Sequence, residues 1–150
     1  MFDKIKDVFL GIASKLTWLP TLLARMVIGS VFIQTGWGKL HSLGQVTEFF
    51  RSLGIPAPEL QAPFVASVEL VGGVLVLLGL FTRLVSVPLI GTMVVAILTA
   101  KLKEFTGPLD LFGSQEFDYI VLLLLLFVFG PSTLSLDRLI FKRCAMAEEK

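Results

Sequence analysis

Three ionisable side chains, Arg25, Lys39 and Glu69, stand in or at the edge of stretches that are otherwise apolar. A charge near the centre of a bilayer costs at least about 2.5–3.5 kcal/mol, so each needs a partner or a task. At the helical rise, Arg25 lies about 9 Å from one end of its stretch and Glu69 about 18 Å from the corresponding end of the next. Arg25, Gly29, Phe32, Gly36 and Lys39 share one helix face, and Glu69 shares another with Gly72, Gly73 and Val76. Glycine beside a charge lets two membrane helices approach closely. Two chemistries follow. One is an Arg25–Glu69 ion pair that sets helix register. The other is a polar pocket between the first two helices, lined by Arg25, Lys39 and Glu69, for an anionic, quinone-like or lipid-headgroup ligand. A third option for Arg25 is to snorkel to the surface.

Gln34 points away from Arg25 on the same helix. It joins Arg83, Glu116 and Asp118 as a further contributor to such a pocket. His41, Lys101, Lys103, Glu116 and Asp118 gather near one set of helix ends, where an ordinary solvated rim is the plainest reading. Cys144 and His41 are the single Cys and the single His. That count excludes an intramolecular disulfide, a CxxC pair and a His/Cys metal cage within one chain, so no metal site is expected. A phosphate loop and a GxSxG elbow are also missing. With no self-contained redox or hydrolytic motif and no covalent cofactor site, the chain is not expected to move electrons alone. A net charge of +1 gives no reason to expect nucleic acid.

The elements that position these residues are set by composition. The chain has 150 residues, 55% of them hydrophobic and 17% charged, and a mean hydropathy of +0.84. A soluble domain carries roughly 25% charged residues, and one this small cannot bury so much apolar surface. The excess faces lipid. Four apolar stretches, at about residues 19–40, 63–80, 84–102 and 113–130, approach the roughly 20 residues needed to span a bilayer. They predict an all-α, four-helix transmembrane bundle forming one domain. The fourth stretch spans only if Glu116 and Asp118 enter with it. Gly29, Gly36, Gly72 and Gly73 are the expected helix-packing positions, and Phe81-Thr82-Arg83 the tight turn of a hairpin. Two amphipathic helices at the membrane surface are expected at about residues 2–16 and 45–53, the second stopped by Gly54, Pro56 and Pro58. Lys4, Lys6, Lys15, Arg83, Arg138, Lys142, Arg143 and Lys150 fall on one side, against Lys39, Arg51, Lys101 and Lys103 on the other. The positive-inside rule then places both termini in the cytoplasm of a multi-pass inner-membrane protein.

Several of these residues form a familiar series. Arg25, Gly29, Gly36 and Lys39-Leu40 are followed by Phe50 with Leu53-Gly54-Ile55-Pro56-Ala57-Pro58. Then come Glu69-Leu70-Val71-Gly72-Gly73 and Gly79-Leu80-Phe81-Thr82-Arg83, with Gly130-Pro131-Ser132 and Leu134-Ser135-Leu136-Asp137 closing the chain. The series resembles the DoxX family over nearly the whole length. The resemblance implies a four-helix membrane protein whose recurrent polar positions map onto Arg25, Lys39, Glu69 and Arg83, with the Glu116/Asp118 region matching less closely. Members of that family are linked to thiosulfate:quinone oxidoreductase, to membrane complexes handling thiols and oxidative stress, and to operons for copper-binding peptides. A distant animal branch assists receptor assembly. Such scatter carries the fold over but not one activity. The leading expectation is a small membrane subunit of a redox or stress-response system, with quinone or lipid as the candidate ligand. The alternatives are a binding or assembly module for a membrane partner or an exported metal-binding peptide, and a small transporter with Glu69 as its proton-coupled site. A homo-oligomer is compatible with each.

Overall fold

A computed structural model describes residues 18–102 and 107–130, with Leu16 and Phe105 beside them. The expected helix at residues 2–16, the closing Leu134–Asp137 motif and Cys144 lie outside the described residues, Leu16 apart. Six helices are described: α1 (Leu19–His41), α2 (Leu43–Ser52), α3 (Pro58–Leu78), α4 (Thr82–Ala96, continued by a π-helical turn Ile97–Lys101), α5 (Pro108–Phe112) and α6 (Gln115–Phe129). There is no strand among the described residues.

The helix ends follow local chemistry. Pro20 and Pro58 sit in the first turns of α1 and α3, where a missing N–H leaves nothing unpaired. Gly79 takes φ +72° after α3. The Leu80 N–H reaches the Leu75 carbonyl at 2.9 Å and the Gly79 N–H reaches Val76 at 3.1 Å. These are the two hydrogen bonds of a Schellman cap. Only Gly79–Phe81 separate α3 from α4, so the two helices form the expected antiparallel hairpin. The Ser114 hydroxyl accepts the Phe117 N–H to start α6.

Four helices close a ring in which α1 packs on α3 and α6, and α4 packs on α3 and α6. Ala24, Ile28 and Phe32 of α1 meet Val76 of α3, Leu89 and Met93 of α4, and Leu123 and Leu126 of α6 in the core. Leu23, Val71, Leu84, Val94 and Leu124 face outward, as the apolar surface of an integral membrane protein does. Three helices are long and apolar enough to cross a bilayer: Leu19–His41, Pro58–Leu78 and Thr82–Lys101. The fourth is shorter than expected. α6 has 15 residues, about 22 Å at the helical rise. Its start at Gln115 leaves Glu116 and Asp118 in the first turn.

The α1–α3 seam explains most of the glycines. A Cβ on Gly29 would stand 2.8 Å from Leu77 Cβ, and one on Gly73 would stand 2.7 Å from the Ile33 nitrogen. A Cβ on Gly36 would strike the Leu70 backbone nitrogen. Gly72 faces the other way, toward the Leu89 side chain of α4. Three of the four expected packing glycines therefore serve α1–α3, and the fourth serves α3–α4.

Candidate functional site

The seam fixes a register. Gly29 lies against Gly73 and Gly36 against Ala66, so Arg25 stands level with the end of α3 and far from Glu69. The Arg25 guanidinium, in a side chain 2% exposed, donates from Nε to the Val76 carbonyl and from Nη2 to the Leu77 carbonyl, each at 3.0 Å. Carbonyls of a last helical turn have no partner within their helix; Arg25 supplies one to Leu77 and a second, beside the Gly79 N–H, to Val76. The expected Arg25–Glu69 pair is thus replaced by two other contacts. Glu69, 1% exposed, instead receives Lys39: Nζ stands 2.5 Å from Oε1, and Lys39 is 30% exposed. Glu69 Oε2 is buried and has no hydrogen-bond partner among the described residues.

Beside this pair lies a cavity of about 610 Å³, within the range of small-molecule sites. Its walls come from α2, α3 and α4, with Lys39 of α1 at its edge. Val46, Phe49 and Phe50 of α2, with Leu53 just after it, form one wall. The apolar face of the amphipathic helix therefore covers the cavity. Gln61, Phe64, Val65 and Val68 of α3 form the second wall. Pro88, Gly91, Thr92, Val95, Ala96 and Thr99 of α4 form the third. Lys39 and Glu69 line it and Arg25 does not. Arg51 holds α2 in place, donating to Glu48 and, at 2.5 Å, to Glu59 of α3. Those two carboxylates, Glu59 first, raise the Arg51 guanidinium above its ordinary value.

The remaining polar residues are elsewhere. Gln34 is exposed on α1, and Asp118 is exposed on α6. Arg83 is also exposed and donates to the Val128 carbonyl at 3.2 Å. Glu116 joins Lys101 and Asp110 in a separate, smaller cavity of about 330 Å³. His41 lies against Trp37 with ring centroids 4.4 Å apart and the rings tilted by 44°. The sequence reading missed the α4 wall. Its signal was present: residues 88, 91, 92, 95, 96 and 99 recur at helical spacing, and four of the six are Gly, Ala or Thr. Small side chains along one face leave room. A Cβ on Gly91 would meet nothing within 4 Å. The π-helical turn follows the same wall, and such turns often mark functional sites.

The sequence model of the DoxX family matches residues 21–102, a segment that holds Arg25, the ion pair and the cavity walls. The chain belongs to the DoxX family. Among relatives of this DoxX chain is "Putative oxidoreductase CatD" of Bacillus subtilis, 40% identical over 126 residues, covering 83% of this chain and 89% of the relative. The inner membrane protein YphA of Escherichia coli is 31% identical over 124 residues, covering 78% and 87%. The inner membrane protein YqjF of the same organism is 27% identical over 129 residues, covering 86% and 98%. No solved structure matches this DoxX chain.

Proposed function

We propose that this DoxX protein is the ligand-holding membrane subunit of a redox or stress-response system, and that its ligand is a quinone-type molecule. One observation carries the reading: an apolar cavity of small-molecule size is bordered by one ion pair whose carboxylate is buried and whose ammonium is partly exposed. Apolar walls suit a ring and its tail, and a few placed polar groups fix the orientation of its oxygens. The chain has no redox motif of its own, so electrons are exchanged between the bound molecule and a partner. The name of the Bacillus relative supports the same direction. We place both termini in the cytoplasm from the Lys/Arg asymmetry.

Extraction of the detergent-purified protein with organic solvent, followed by mass spectrometry, tests the reading. A quinone is expected in near-stoichiometric amount, falling several-fold in Gly91→Leu, whose side chain enters the cavity. Absence of any quinone, together with no uptake of added menadione, overturns it. A bound metal or peptide in its place would favour the assembly module.

A further inference from the structure

The cavity is elongated, and its two ends differ in chemistry. On the α4 side it is lined from Pro88 to Ala100, about 18 Å at the helical rise. Gly72 faces Leu89, so α3 and α4 stay in the register set by the Gly79 turn. Counted from that hairpin, Pro88 stands about 9 Å away, Glu69 about 15 Å and Gln61 about 27 Å. The α1–α3 seam brings the last turn of α1, with Lys39, to the same end as Gln61.

Polar groups that can still meet a ligand are confined to that far end. Toward the hairpin, the Thr92 hydroxyl donates to the Leu89 carbonyl. Glu69 has Oε1 on Lys39 and Oε2 sealed from solvent, so its carboxylate offers a ligand nothing. At the far end, Ser42 and Thr99 have likewise given their protons to Gly38 and Val95. Gln45 and Gln61 differ: both line the cavity, and neither side chain has a hydrogen-bond partner among the described residues. Gln45 is exposed and Gln61 half-buried. Lys39, partly exposed, keeps N–H groups beyond the one on Oε1.

An amphiphile fits this gradient one way round. Resting on the reading that a quinone-type molecule occupies the cavity, we propose that its ring stands at the α2 end, with its oxygens on Gln45, Gln61 and Lys39, and that its tail runs down the α4 wall toward the hairpin. A carboxamide both donates and accepts. The same two amides therefore serve the carbonyls of a quinone and the hydroxyls of its reduced form. The apolar depth suits a tail, since about 18 Å is more than half of a hydrocarbon core of about 30 Å. The ring is then held on the side of the membrane opposite the hairpin, and a redox partner has to reach it from that side.

Photolabelling of the purified protein with a prenylated naphthoquinone carrying an azide on its ring, followed by peptide mapping, tests the orientation. Adducts that excess azide-free compound displaces are expected within residues 39–50, at Gln61 or within residues 95–100. Displaceable adducts centred on residues 88–93 overturn the orientation and leave the quinone reading intact. Labelling that nothing displaces overturns the quinone reading itself. Gln45→Leu and Gln61→Leu are each expected to weaken menadione binding roughly twofold to tenfold, the range of one neutral hydrogen bond, without lowering the thermal midpoint. Unchanged affinity in the double variant overturns the assignment of the ring to that end.

Discussion

Two charged side chains lie buried in the same two helices, and their surroundings differ in kind. Arg25 is held by two carbonyls at the end of α3, beside the Gly79 turn. Glu69, near the middle of the same helix, has one oxygen on Lys39, the other without a partner among the described residues, and a cavity at its side. The first arrangement completes a helix terminus and leaves no room. The second leaves both space and a deficit. Burial of a charge therefore does not distinguish a structural site from a binding one. What remains unsatisfied around it does.

The largest expected effect breaks the Arg25 side of that contrast. Arg25→Met removes one donor to a buried carbonyl and one to a part-buried carbonyl, and hydrogen bonds to charged groups contribute about 1.5–3 kcal/mol each. A loss of about 3 kcal/mol is expected in detergent unfolding, with menadione uptake unchanged in the fraction that remains folded. The next effect compares glycines. Gly36→Ala forces a methyl group against the α3 backbone, and overpacking costs about 1–3 kcal/mol. Gly91→Ala, on the open α4 wall, is expected to be neutral or to stabilise by up to about 1 kcal/mol. Thermal denaturation of the pair reads the difference in sign. The smallest effect is a coupling. Seven residues separate Glu69 from Val76, about 10 Å along the axis, and substitutions that far apart add within about 0.5 kcal/mol. A double-mutant cycle of Arg25→Met with Glu69→Gln should close to that margin. Recovery of stability in the double variant would restore the direct pair.

Much of this architecture is legible in the sequence. The three spanning helices, the hairpin at Gly79–Phe81, the amphipathic helix over residues 45–53 and the packing role of Gly29, Gly36 and Gly73 all follow from composition, period and turn chemistry. The membership in the DoxX family follows from the same residues. Depth and helix face do not choose between Arg25 and Lys39 as the partner of Glu69. Side chains on a helix lean toward its N-terminus. In antiparallel helices packed at Gly29–Gly73 and Gly36–Ala66, Lys39 and Glu69 lean toward each other while Arg25 leans away. The rule needs the register, and the register is set by contacts between helices rather than within them. The cavity was displaced for a related reason. Glycine can signal either contact or vacancy, and only the neighbouring helix decides which: Gly36 meets Leu70, whereas Gly91 meets nothing. α6 starts after its Ser114 cap, which leaves Gly113 and Ser114 outside the helix.

The hydrogen bonds of Arg25 also set an order of assembly. Its acceptors lie 51 and 52 residues further along the chain, so they do not yet exist when α1 first leaves the ribosome. During that interval α1 enters the membrane carrying a charge worth about 2.5–3.5 kcal/mol against insertion. The debt ends when α3 is synthesised and its last turn arrives beside the guanidinium. The first span thus depends for its seat in the bilayer on a later one.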